Sequence, residues 1–390
     1  MKRLAALLAL TVPSLPAPAA DPAPVGAGYA PTDEDERGLW MLMEEEERKL
    51  KTSSFVMRDP ALNAYVRGVF CRTVGPRCAD IRVYLVRTPY FNASMAPNGM
   101  MVVYSGLFLR TRDEAQLAAV LGHEFTHYEG RHSVRLYRDI KSKTNALAWM
   151  SIVPLANLAV AGAVAVAQIG VLGSIGAFSR EMERDADTGS VKLLADAGYD
   201  PMAASRIWEQ IRAEMDATAA ARGRKSQKDK PGGLLASHPP TAERMTDLKA
   251  LAEKQPVTGT PTLHRTEYRA ALAPYWAQLV DDQIKLNDFG ATELLLAELA
   301  RDGWTPELLF ARGELYRTRG RPEDLASAAG FYRDAVAQAG APVEAWRGLG
   351  LSLMRSGHQP EGQAALKTYL ENKPDASDRA VIAMMAGVQK

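Results

Sequence analysis

The chain is poor in cysteine, in histidine and in net charge. Of its 390 residues two are cysteine and six are histidine, and 47 basic against 46 acidic residues leave a formal charge of +1. So balanced a surface has no electrostatic draw toward nucleic acid or a strongly anionic partner. Cys71 and Cys78 form no CxxC pair and have no histidine beside them, which argues against a metal site built on thiolates. Long hydrophobic runs are scarce as well. The N-terminal run Leu4–Val12 falls short of the roughly 20 residues that span a bilayer. Residues 146–179 carry no charge, yet two crossings would need about 40 apolar residues, and this stretch is broken by Pro154, Asn157 and the glycines at 170, 173 and 176.

Because histidine is rare, the spacing of His123 and His127 in His123-Glu124-Phe125-Thr126-His127 carries weight. Residues four apart lie one above the other on a helix. Two imidazoles at that spacing can grip one zinc ion, and Glu124, about 100° round, can reach the water the metal would activate. Thr111-Arg112-Asp113-Glu114 has capping-box form, and Leu117, Val120, Leu121 and Phe125 supply an apolar stripe, so a helix is predicted here. The plain alternative is an amphipathic helix with two surface histidines. A catalytic zinc takes three protein ligands and keeps one position open. Glu183 and Asp187, again four apart, can supply the third: one carboxylate ligates while the other accepts the N–H of a ligating histidine. Read alone, the same residues make a solvated, charge-rich helix start.

HEFTHYEGRH (residues 123–132), SREMERDADTG (179–189) and SHPPTAER (237–244) resemble, in this order, the gluzincin peptidases related to HtpX and the CAAX prenyl proteases. The resemblance covers roughly residues 35 to 250. It implies zinc ligands His123, His127 and Glu183, with Glu124 as general base and Asp187 orienting a ligating histidine from behind. Glu181 is the competing third ligand, out of register with the family pattern. The implied fold is an α+β zincin-like metalloprotease domain, mostly helical with a small sheet, over residues 36–255. In some periplasmic members the histidine equivalent to His238 takes the fourth position on zinc and holds the enzyme latent; otherwise His238 belongs to a His-Pro turn packed on the zinc domain. His132 is expected to pack or hydrogen-bond nearby rather than ligate.

Lys2 and Arg3, the apolar run, and Ala17-Pro18-Ala19 read as a signal peptide over residues 1–19, followed by a disordered lead-in over 20–35. An exported, periplasmic protein is expected, and that compartment permits a Cys71–Cys78 disulfide worth about 2–3 kcal/mol; unbridged thiols are the alternative. Helices are predicted over Glu36–Lys51 and Pro60–Val74, the second capped by Asp59. Strands are predicted over Ile81–Arg87 and Met100–Tyr104, paired as a hairpin through Pro97-Asn98-Gly99. In the resembling peptidases such a hairpin offers its edge to the substrate backbone; an ordinary core hairpin fits the same residues. If His127 and Glu183 meet at one ion, the uncharged 146–179 stretch between them cannot cross a membrane once. It should lie against the active site, or dip into a membrane face as a peripheral contact. Arg222 to Gly233 reads as a charged loop.

From residue 265 to 390 the pattern turns to helix pairs. Phe310-Ala311-Arg312-Gly313-Glu314-Leu315-Tyr316 is echoed by Trp346-Arg347-Gly348-Leu349-Gly350-Leu351-Ser352, each followed by a Gly/Pro turn and a second helix. This approximates the tetratricopeptide pattern, with Ile284 to Asp302 as an earlier, degenerate copy; a plain helical cap is the alternative. An all-α repeat domain of this kind binds partners on a concave face. The whole chain resembles the BepA-like group of periplasmic zinc peptidases with C-terminal tetratricopeptide repeats. That resemblance implies one zinc ion, unfolded or misassembled proteins as substrates, and docking of the repeats on the outer-membrane protein assembly machinery. Two other readings stay open: a chaperone or adaptor scaffold, and a membrane-type protease acting on membrane segments.

Overall fold

The computed structural model describes residues 28–143, 178–229 and 240–388, together with Val25 and His238. The expected signal peptide, the start of the lead-in and the uncharged stretch up to Ala177 lie outside the described residues. Among the described residues no helix is long and apolar enough to cross a membrane.

The described residues are mostly helical around one three-stranded sheet. Helix α1 (Glu34–Thr52) starts where Asp33 accepts the Glu36 N–H, and α2 (Pro60–Val74) where Asp59 accepts those of Ala61 and Leu62. Both are helix N-caps of the ordinary kind, and Pro60 occupies the first-turn position where a missing N–H costs nothing. Part of the expected lead-in is held down: Gly28 N donates to Asp80 at 2.8 Å and the Tyr29 hydroxyl to Glu36 at 2.7 Å. Cys71 and Cys78 are joined in a disulfide that closes the end of α2 onto the following turn, Cα atoms 5.1 Å apart.

Strands β1 (Arg82–Val86), β2 (Ala93–Met95) and β3 (Met100–Tyr104) run in the order β1-β3-β2. Here the hairpin expectation is corrected. β1 and β3 pair in parallel, and the 97–99 turn instead joins β3 to the unforeseen β2, which pairs antiparallel with it. The reason is length: the dozen or so residues between β1 and β3 suffice for a crossover, and three-residue β2 is too brief to leave an alternating pattern. Gly99, at φ +81°, takes the left-handed turn position that a side chain would resist. Among the described residues β2 is an edge, paired with β3 alone.

Helix α3 (Ser105–Arg110) leads into α4 (Glu114–Glu129), the helix of the two histidines. Its cap is Asp113, which accepts the Gln116 N–H at 2.9 Å, while Gln116 returns to the Arg112 N–H at 2.8 Å. The expected Thr111 cap gives way because that hydroxyl is engaged by the Leu107 carbonyl and Tyr268. After α5 (His132–Lys143) come α6 (Arg180–Asp196), capped by Ser179, α7 (Ala203–Ala221), and α8 (Ala242–Lys254), capped by Thr241. The core joins Val66, Phe70, Leu85, Met101, Leu117 and Leu121 from α2, the sheet and α4.

Beyond residue 265, α9 (Arg265–Leu272) and α10 (Trp276–Ile284) pack back on α2–α4. Arg87 grips Asp282 with two bonds of 2.7 and 2.8 Å. Helix α11 (Phe289–Leu299) lies on α7 so closely that a methyl on Gly290 would meet the Ala217 carbonyl. Two antiparallel pairs follow: α12 (Pro306–Arg319) with α13 (Pro322–Val336), and α14 (Glu344–Arg355) with α15 (Gln359–Asn372), before the short α16 (Arg379–Met385). Gly313 and Gly348 both face the buried Tyr332 ring, which lets the pairs stack.

Candidate metal centre

Helices α4 and α6 bring the site together because they touch almost backbone to backbone. A methyl on Gly189 would fall 2.5 Å from Thr126, and the Ser190 hydroxyl donates to the Ala119 carbonyl across the seam at 2.7 Å. One helical turn along from that contact, His123 and His127 of α4 face Glu183 of α6, and His238 closes the fourth side. One donor atom from each of the four lies within 4.8 Å of all the others, and all four residues are buried.

The donor set fits zinc. Nitrogen and oxygen ligands stand about 2.0–2.2 Å from zinc, so donors that share one ion lie within about 4 Å of their neighbours. Here His123 Nε2 is 3.1 Å from His127 Nε2 and 3.3 Å from His238 Nδ1, while Glu183 Oε1 is 3.4 Å from His127 Nε2 and 2.8 Å from His238 Nδ1. Ring nitrogens and a carboxylate pointed at one another repel unless a proton or a cation sits among them. Glu181 is exposed and Glu183 buried, so of the two glutamates only Glu183 joins the cluster.

The surrounding side chains aim these donors. Asp187 Oδ1 lies 3.1 Å from His123 Nδ1, and Arg244 holds the Asp187 carboxylate with two bonds of 2.7 Å. Burial opposes ionisation of Asp187, but Arg244 and His123 outweigh it and keep the carboxyl below its usual range. Glu183 behaves alike: burial opposes its charge, and His238, His127 and Arg244 hold it well below that range. Arg244 Nη1 stands 3.0 Å from Glu183 Oε2 as an ion pair without hydrogen-bond geometry, and the guanidinium lies 4.4 Å over the Trp208 ring. Glu124 is buried, and burial pushes its carboxyl up against the pull of His238 and His123. A cavity of about 20 Å³, lined among others by Asn92, His123, Glu124, Trp208 and His238, adjoins it. That is room for one water molecule in a polar setting.

Sequence reasoning did not assign Arg244, Trp208 or Phe178, whose ring stacks 4.1 Å from that of His127. Arg244 left a signal as the arginine of SHPPTAER; the two aromatics left none. His132 lies against His127, Nδ1 to Nδ1 at 2.8 Å.

Residues 78–252 match Peptidase family M48, whose metal is zinc. The chain is 27% identical over 217 residues to the beta-barrel assembly-enhancing protease of Escherichia coli K12, and 26% identical over 221 residues to that of Yersinia pestis; each alignment covers 53% of this chain and 42% of the relative. It is 29% identical over 167 residues to mitochondrial metalloendopeptidase OMA1 of Schizosaccharomyces pombe, covering 43% of this chain and 45% of that one. The aligned part thus spans less than half the length of these relatives. Two histidines and a glutamate from paired helices, closed by a third histidine, lie within the matched segment, so residues 78–252 carry the donor set of an M48 zinc metallopeptidase domain.

Proposed function

We propose that the chain is a zinc-dependent endopeptidase of the bacterial periplasm that removes, or helps to assemble, misfolded or stalled outer-membrane proteins. The observation that carries the catalytic reading is the buried four-donor set with Glu124 beside it at a water-sized cavity. His123, His127 and Glu183 would hold the zinc. When bound, zinc supplies Lewis-acid polarisation of a carbonyl and makes a water acidic near neutral pH. Glu124 takes the proton of the attacking water and passes it to the amine nitrogen as the peptide bond breaks, the shuttle for which a raised carboxyl suits it. Asp187, locked by Arg244, keeps His123 in the tautomer that offers Nε2. The edge of β2, beginning beside Asn92 in the cavity wall, accepts an extended peptide through main-chain hydrogen bonds, largely without regard to its sequence.

His238 is the latch in this reading. Its Nδ1, 3.3 Å from His123 Nε2 and 2.8 Å from Glu183 Oε1, would take the position on zinc that the attacking water needs. The zinc domain covers 36–255, and the paired helices from residue 265 onward act as tetratricopeptide-like docking repeats. A cleft of about 930 Å³ between α9–α10 and the repeats, lined by Tyr268, Trp276, Phe310 and Glu314, offers them a partner surface. The bacterial relatives are named for enhancing beta-barrel assembly, and in this reading the outer-membrane protein assembly machinery is that partner.

The test is degradation of casein by the zinc-loaded protein. His238→Ala should cleave faster than the wild type, and His238→Ala with Glu124→Gln should not cleave. Cleavage that survives Glu124→Gln would sink the mechanism. A second reading, a chaperone or adaptor scaffold, is favoured by the closed donor set itself. It becomes the better one if neither protein cleaves and Glu124→Gln still functions in cells.

A further inference from the structure

The two helix α4 histidines are oriented from behind by unlike partners. His123 turns its Nδ1 to the Asp187 carboxylate at 3.1 Å, the arrangement common behind metal-binding imidazoles. His127 turns its Nδ1 to another imidazole, that of His132, at 2.8 Å, and both rings are buried. The backbone makes an effort to put His132 there. α4 ends at Gly130, where a methyl would fall 2.6 Å from His132 Nε2. The next residue, Arg131, sits at φ +54°, the left-handed region that side chains other than those of glycine and asparagine seldom enter. That single turn folds the chain back so that α5 opens with His132 lying on His127.

The chemistry allows one assignment of protons. If His127 offers its Nε2 lone pair to the metal, as its placement 3.1 Å from His123 Nε2 and 3.4 Å from Glu183 Oε1 implies, its proton must be on Nδ1. His132 Nδ1 must then be the acceptor, with the His132 proton on Nε2. The nearest acidic group to that Nε2, Asp185, is 3.9 Å away and half exposed, too far for a hydrogen bond that would force the other tautomer.

We propose that His132 is a positioning residue for the metal centre: its Nδ1 accepts the His127 Nδ1–H and so fixes the tautomer and ring angle with which His127 meets zinc. This rests on the reading of His127 as a ligand. A neutral acceptor here, where His123 has a carboxylate, keeps the ligand shell from gaining a second buried negative charge behind it.

The experiment is a zinc competition titration against a chromophoric chelator on the full chain, with the cobalt(II)-substituted absorption spectrum as a second readout. His132→Leu removes the acceptor, and His132→Asn keeps an acceptor oxygen near the place of Nδ1. Losing such a partner weakens metal binding about 10–100-fold. The expected result is that loss in His132→Leu, with an altered cobalt spectrum, an unchanged far-ultraviolet dichroism of the metal-free protein, and recovery of most of the affinity in His132→Asn. Equal zinc affinity in His132→Leu and wild type would overturn the proposal, and so would equal losses in both variants, which a mere packing role produces. A wild type that binds no zinc would overturn the ligand assignment, and the role of His132 with it.

Discussion

Gly189→Ala is the smallest change that should dismantle the centre without touching a donor. The added methyl would lie 2.5 Å from Thr126 Cγ2 and Oγ1 and 3.0 Å from its Cβ. Carbon atoms rest at about 3.5–4.0 Å, so α6 must retreat from α4 by about 1 Å. Thr126 cannot swing aside cheaply, because its β-branched side chain is stiff and its hydroxyl donates to the Gly122 carbonyl at 2.9 Å. Overpacking of this kind costs about 1–3 kcal/mol, and for a folding unit of this size each kcal/mol lowers Tm by about 2–4 °C. The larger effect falls on the metal. Glu183 rides on α6 and must stay within 3.4 Å of His127 Nε2, while such sites tolerate only about 0.5 Å of misplacement. Thermal unfolding of the metal-free protein and zinc titration should therefore separate: a Tm lower by a few degrees, but zinc affinity down tenfold or more. Adding Thr126→Ala removes the two closest contacts and should restore part of both. The reasoning is refuted if Gly189→Ala leaves zinc affinity intact, or if Thr126→Ala restores neither quantity.

Two further consequences concern stability. Glu47 of α1 accepts from Arg82 at 2.6 and 2.7 Å and from Tyr84 at 2.7 Å; burial opposes its charge, but these partners hold its pKa at about 2. A carboxyl lowered on folding stabilises fully above its unfolded value of about 4.5, and that contribution fades as pH falls from there toward 2. With Arg82 partly exposed the contribution is about 1–2 kcal/mol after screening, so Glu47→Gln should flatten the acid limb of a Tm-against-pH curve; an unchanged limb would count against the pairing. Buried Arg110 joins α3 to Glu214 of α7 at 2.8 Å and to Gln283 of α10 at 3.0 Å. Arg110→Met should cost about 3–5 kcal/mol in urea unfolding by stranding the Glu214 charge, and adding Glu214→Leu should recover much of it; a loss under 1 kcal/mol would show that the pair is not what joins these helices.

The candidate site was largely legible because its donors sit at fixed offsets on two helices. Four-residue spacing puts His123 over His127 and Glu183 over Asp187 whatever the rest of the chain does, and the buried Glu183 and exposed Glu181 follow the register. The sheet was less legible. Two apolar, β-branched runs announced β1 and β3, but their direction depends on where the intervening chain goes, and β2 is too short to show a period. The cap on α4 was misplaced by two residues because Thr111 and Asp113 are both competent caps, and Tyr268, distant in sequence, occupies the first.

What the sequence determined by itself was local: helix registers, the cap at Asp59, and donor chemistry of the kind zinc takes. These depend on contacts within a few residues, which spacing and side-chain type already encode. Only the tertiary structure decided which pairs met across the fold. It set Gly189 against Thr126, so that two helices could approach closely enough for their donors to share one point. It placed Arg244 behind Asp187 and His132 behind His127, and it carried His238 to the open side of the His123, His127 and Glu183 cluster. Such meetings depend on the summed packing of many side chains far apart along the chain, and no single offset records them.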